Sequence, residues 1–252
     1  MVAAAQAGKH IFTEKVMALK VKECESIAAA VRAAGVKFCI SFPARTTSQF
    51  QFAKQAADEG WLGNITLLRV RVAHDGASAQ WLPAHFYDPV ACGGGAMIDL
   101  GAHPMYLARW IMGPPVFVTS TFTSVTGHAI EDNAVAVVRF ANKGTAIVET
   151  SFVSTHCPNL LEVYGTEGTL FAGGPDDNVR IRSNKIDGQI GGWLQPAALP
   201  PALPRPIRIW VEGILEGKPI PFGLDEGLQL TELMEAAYLS HLYGTPWEIT
   251  RK

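Results

Sequence analysis

Residues 10–42 read HIFTEKVMALKVKECESIAAAVRAAGVKFCISF. This stretch decides the first layer of the fold. Residues 10–14 predict a short strand. Residues 20–34 are alanine-rich and place Val21, Cys24, Ile27, Ala28 and Val31 at helical intervals, with Gly35 as the stop. Residues 36–42 carry few polar groups, as expected of a parallel strand buried on both faces. The end of a helix is expected before this stretch, over residues 3–8, and another helix after it, over residues 48–59. Helix and strand thus alternate as in a doubly wound sheet.

Beyond residue 60 the pattern changes. Residues 64–73 (NITLLRVRVA) alternate like a half-buried strand, and a polar and aromatic loop follows over residues 74–88. Gly93-Gly94-Gly95 opens a helix running to Met112, with Pro104 predicting a break or restart near His103. Strands are expected over residues 116–125, 133–140, 145–152, 160–164 and 169–171, with a hairpin turn at Asn142-Lys143-Gly144. Residues 196–206 hold five prolines and read as an extended connection. Helices over 206–216 and 224–243 and a strand over 247–249 close the chain. The fold class is therefore α/β plus α+β: a partial doubly wound segment (residues 1–44), then a large, mainly antiparallel open sheet faced by helices (residues 45–252).

Composition narrows the function. Of 252 residues, 48% are apolar and 17% charged, which excludes intrinsic disorder. A net charge of −2 gives no basic footprint for nucleic acid or an anionic membrane. No apolar run approaches the roughly 20 residues of a bilayer span. The first ten residues are too polar and short for a secretory signal. Cys24, Cys39, Cys92 and Cys157 form no CxxC pair and read as reduced thiols of a cytoplasmic protein.

Three places carry candidate chemistry. Asp99 and His103 are four residues apart, on one helix face, where a carboxylate can orient an imidazole for acid–base work. A capping aspartate and a satisfied buried histidine would show the same spacing. Glu14-Lys15 closes the first strand, at the end where doubly wound sheets bind ligands; a solvent-facing charge pair reads identically. In the loop at 74–88, Trp81, His85 and Tyr87 combine flat faces with hydrogen-bonding groups and suit a sugar-like ligand, although a loop packed on the sheet needs similar residues. His74 and His85 lack a metal-ligand spacing, so no metal site is expected. Neither G-x-G-x-x-G nor a P-loop is present: the G-x-G at Gly93–Gly95 follows a loop, and Ile98 stands three residues on.

These motifs resemble the Gfo/Idh/MocA oxidoreductases. AGKHIFTEKVMAL (residues 7–19) is similar to the family's AGKHVxxEKPxAL stretch, and GGGAMIDLGAHPMYLARWIMG (residues 93–113) to its GGGxxxDxGxHxxDxxxxxxG segment. EDNAVAVVRF at Glu131 and LEVYGTEGTL at Leu161 are similar to family sheet strands. The resemblance implies hydride transfer between NAD or NADP and a sugar, polyol or related compound. His103 would handle the hydroxyl proton beside Asp99, and Lys15 would stabilise the alkoxide. Glu14, Lys15 and Arg45 would lie on the cofactor side. It also implies a homo-oligomer joined through the open sheet face. Val16 replaces the motif proline, and Tyr106 replaces a second aspartate. The glycine-rich first half is missing, so the resemblance implies a shortened oxidoreductase with impaired cofactor binding. The alternatives are a non-enzymatic oligomerising remnant, and a non-redox sugar lyase using Lys15 and His103 as acid and base.

Overall fold

The computed structural model describes residues 1–186 and 192–249. Helix α1 (Val2–Gln6) leads into strand β1 (Ile11–Thr13), helix α2 (Val21–Ala34) and strand β2 (Phe38–Ile40). β1 and β2 pair in parallel, with Ile11 opposite Phe38 and Thr13 opposite Ile40. β2 is buried throughout, as its apolar sequence requires. Cys24, Ile27, Ala28 and Val31 form the buried face of α2, following the helical spacing. The Lys20 N–H at the start of α2 donates to Glu23 Oε2 at 3.1 Å, satisfying one of the end amides a helix cannot pair internally.

A 3₁₀ turn (Pro43–Thr46) and helix α3 (Ser48–Asp58) lead to the second sheet. Strand β3 (Ile65–Ala73) is followed by a 3₁₀ turn (Ala84–Tyr87), helix α4 (Pro89–Cys92), a π-helical turn (Met97–Gly101) and helix α5 (Ala102–Met112). Strands β4 (Pro115–Thr123), β5 (Asn133–Phe140), β6 (Thr145–Ser151), β7 (Leu160–Gly165), β8 (Gly168–Gly173) and β9 (Asn178–Ser183) come next. Helices α6 (Pro206–Leu215) and α7 (Leu224–Tyr243) and strand β10 (Trp247–Glu248) complete the order. The sheet has eight strands in the order β10-β4-β5-β6-β3-β7-β8-β9. β3 and β6 run parallel; the other neighbouring pairs are antiparallel.

Helices α3, α5 and α7 pack on one face of this sheet, and α7 also touches β2 and α2. That helix joins the two sheets. A single apolar cluster runs from Ala5 through Ile40, Leu107 and Val138 to Ile249, crossing position 44 without a gap. β5 shows the two-sided pattern: Ala134, Ala136, Val138 and Phe140 are buried, while Val135, Val137 and Arg139 face outward.

The elements expected from sequence are present, with shifted ends. β4 ends at Thr123 because the next residues turn around Asp132, whose carboxylate accepts from the N–H groups of Val125 and Thr126. β9 was not anticipated, although NVRIRS alternates and buries Val179 and Ile181. The proline-rich segment is tied down where the Leu203 N–H donates to Thr46 O at 2.9 Å. Among the described residues, no helix is long and apolar enough to cross a membrane. The four cysteines are unpaired.

Candidate active site

Lys15 leaves the carboxyl end of β1, where the chain turns towards the buried Met17. The Lys15–Val16 peptide bond is cis. The Lys15 ammonium donates to the backbone oxygen of Asp99 at 2.6 Å and to its Oδ1 at 2.5 Å. The lysine side chain is 13% exposed and the aspartate 29%. The pair therefore combines charge-assisted hydrogen bonding with partial shielding from water, which makes it stronger than a surface ion pair.

Asp99 sits in the π-helical turn, and regular α-helix resumes at Ala102, one residue before His103. The expected restart near Pro104 is this change of helix type. The turn has a specific entry. Glu131 Oε1 accepts from the N–H groups of Gly95 (2.9 Å) and Met97 (3.0 Å), and its backbone oxygen accepts from Ala96 N–H at 2.8 Å. The Tyr238 hydroxyl donates to the same Oε1 at 2.6 Å. A side chain at Gly94 would fall 2.0 Å from the Tyr238 hydroxyl, and one at Gly95 would fall 2.0 Å from the Glu131 carbonyl oxygen. The glycines thus serve close packing, and their neighbouring amides are already taken by a carboxylate. They form no phosphate cradle.

His103 lies within reach of both charges. Burial and the Lys15 ammonium push its imidazole down to about 4, against an opposing pull from Asp99. The ring is therefore neutral near pH 7. Its Nδ1 lies 2.9 Å from the Tyr106 hydroxyl, which also accepts from the Ala44 N–H at 3.1 Å. Tyr106 is 3% exposed and stacks on Phe42 at 4.2 Å. Burial raises its phenol above the ordinary tyrosine range.

A cavity of about 360 Å³ opens beside Lys15 and Asp99 and is lined also by Val16, Phe86, Gly94 and Gly95. The expected sugar-binding residues do not line it. Trp81 is 55% exposed, and its indole N–H donates to Asp75 Oδ1 at 3.1 Å. His85 is exposed, and Tyr87 stacks on His128 at 3.9 Å. Phe86, between the last two, faces the cavity instead, because the 3₁₀ turn rotates successive side chains to different sides. Arg45 lines a separate cavity of about 390 Å³ together with Tyr106, Arg109 and Trp110, and its guanidinium lies 4.7 Å over the Trp110 ring. Glu14 is exposed, though its charge acts on Tyr106. His74 comes close enough to Asp99 to feel its charge; burial lowers the His74 pKa and Asp99 opposes this. Among the described residues, no cluster of His, Cys, Asp and Glu could hold a metal ion. Glu131 and Tyr238 carry no site signal in the sequence, since their partners are remote in sequence or belong to the backbone; Tyr106 stands at the second-aspartate position of the resembled motif, and its i,i+3 spacing from His103 is the signal of their contact.

Residues 50–171 match the GFO/IDH/MocA C-terminal domain family. The chain is 29% identical over 187 residues to myo-inositol 2-dehydrogenase of Thermotoga maritima, covering 71% of this chain and 53% of that protein. It is 27% identical over 209 residues to 1,5-anhydro-D-fructose reductase of Ensifer adhaerens, covering 78% and 60%. The chain thus spans about half the length of the curated relatives it matches. Its fold is that of an NAD binding oxidoreductase from Klebsiella pneumoniae, with a TM-score of 0.86 at 22% identity, over 100% of this chain and 76% of that one.

Proposed function

The chain belongs to the Gfo/Idh/MocA family, and from that premise we propose that it is an oxidoreductase of a sugar, polyol or related hydroxy compound, working with NAD or NADP. The observation that carries this reading is the convergence of Lys15 and Asp99 from two separate elements on one cavity, with His103 buried behind them and close enough to feel both charges. The relatives' names, an inositol dehydrogenase and an anhydrofructose reductase, supply the substrate class.

The cavity suits the nicotinamide end of the cofactor. It lies at the carboxyl end of β1, the position where doubly wound sheets present ligands, and it offers apolar surface from Val16 and Phe86 beside the Lys15 ammonium. The described residues offer no strand–glycine turn–helix for the pyrophosphate. When bound, the nicotinamide supplies the hydride acceptor or donor. Lys15 and its neighbours act on the oxygen. Two of the three ammonium hydrogens of Lys15 point at Asp99. The third is available to a carbinol or carbonyl oxygen in the cavity, where a fixed cation stabilises developing alkoxide charge. Asp99 anchors the ammonium, and in this reading His103, which lies behind the pair and feels both charges, hydrogen-bonds the same oxygen. The outward face of the eight-stranded sheet, with Val135 and Val137, serves as the surface through which copies of the chain associate.

The test is a titration with NADH and NADPH followed by a screen of sugars and polyols. Cofactor binding, and oxidation of at least one polyol that falls by about 10²–10³ in kcat in Lys15→Met, is the expected result. Absence of nicotinamide binding, or turnover of a sugar without any nicotinamide, would overturn the redox reading; the second outcome points to a lyase.

A further inference from the structure

The hydrogen bonds around Tyr106 fix more than its position. Its hydroxyl oxygen accepts from the Ala44 N–H at 3.1 Å. A phenol has a single proton to donate, and the polar atom facing it is His103 Nδ1 at 2.9 Å. A neutral imidazole carries one proton, on one nitrogen or the other. If that proton sat on Nδ1, two donors would meet across this contact, or the phenolic hydrogen would be left without an acceptor in a buried site. Losing the partner of a buried polar group is costly.

We propose that Tyr106 is a positioning residue that donates to His103 Nδ1 and holds the imidazole in its Nε2–H tautomer, so that His103 offers the substrate oxygen a hydrogen-bond donor. The groups around the pair agree with this. Lys15 from the end of β1 and Asp99 from the π-helical turn face His103, while Glu14 and Arg45 act on Tyr106. The phenol is kept protonated by burial, and so keeps its hydrogen for Nδ1.

The tautomer rests on the hydrogen bonds alone; its consequence for substrate rests on the function proposed above. There it alters the part that the family resemblance implies for His103. A nitrogen already bearing a proton has no lone pair with which to take one. In carbonyl reduction, a bound reduced nicotinamide would supply the hydride for the new C–H bond. An N–H bond of the Lys15 ammonium breaks as the O–H bond forms, leaving Lys15 as a neutral amine. His103 keeps its Nε2 proton throughout and polarises the oxygen. Oxidation runs through the same steps in reverse.

Long-range ¹H–¹⁵N spectra of the full chain labelled with ¹⁵N-histidine test the assignment. His103 is identified by the signals lost in His103→Gln. At pH 7 the expected pattern is a protonated Nε2 and an acceptor Nδ1, in about tenfold excess over the other tautomer, the ratio one net hydrogen bond supports. Tyr106→Phe should bring the two tautomers to comparable populations, and Tyr106→Asp should invert them by replacing a donor with an acceptor. A protonated Nδ1 in the unsubstituted chain overturns the proposal even if neither variant folds, and so does a Tyr106→Phe variant that keeps the Nε2–H excess in full. None of these spectra involves nicotinamide or turnover. Their failure would leave the oxidoreductase reading intact, and failure of NADH to bind would leave the tautomer intact.

Discussion

His103 shows how a single side chain takes its chemistry from its surroundings. Its ordinary value of 6.5 is lowered to about 4 by burial and by Lys15. The sign of the pH dependence follows. Above pH 6.5 the ring is neutral in both folded and unfolded chains. Between 6.5 and 4 the unfolded chain takes up a proton that the folded chain refuses, so folding is progressively disfavoured. The loss reaches about 3 kcal/mol, at roughly 1.4 kcal/mol for each pKa unit. Urea unfolding at pH 7 and at pH 4.5 should therefore show an acid loss that is markedly smaller in His103→Gln. Parallel losses in the two proteins would mean that the imidazole titrates normally in the fold.

The element that organises the site is the glycine-led π-helical turn. It is held by Glu131, which accepts from two backbone amides and from Tyr238. Gly95 has no room for a methyl group, because the obstacle is the Glu131 carbonyl oxygen at 2.0 Å, a backbone atom that cannot rotate away. Gly95→Ala is expected to cost about 1–3 kcal/mol, the range of overpacked sites. It should also displace Asp99, four residues on, whose N–H bonds Gly95 O at 3.0 Å. Denaturant melts measure the first effect. A variant as stable as the unsubstituted chain would show that the turn yields more easily than its packing implies.

At the scale of the molecule, one core unites the two sheets, and helix α7 packs against strands of both. The helix-free face of the large sheet leaves Val135 and Val137 each 37% exposed, near the ion pair of Arg69 with Glu149. We propose this face as the association surface on the strength of the family resemblance, with the two valines and the neighbouring Arg69–Glu149 pair as its contact groups. Sedimentation at micromolar concentration should report an assembly larger than one chain. Val137→Lys, which places an unpaired charge in the middle of that face, should shift it towards the monomer. A monomeric unsubstituted chain would refute the association surface.

Periodicity reveals α2 and β5, because each buries one regular face and its apolar spacing records that burial; β2, buried throughout, is legible instead as an apolar run. The spacing of Asp99 and His103 and the strand-end place of Lys15 were equally visible in the residue order. β9 went unread although it alternates, follows the turn residues Gly173-Gly174-Pro175-Asp176-Asp177 and is as long as β7 and β8. What only the tertiary structure decided is which of these groups meet. Phe86, rather than His85 or Tyr87, faces the cavity, and Arg45 lines a different one. The partners of Tyr106 and Glu131 include backbone N–H groups, which every residue but proline carries and which no sequence pattern distinguishes. A local pattern reports how a segment divides its own surface between water and core. Contacts between segments depend on how the whole chain closes around them, and here that closure decides both the charge and the hydrogen bonding of His103.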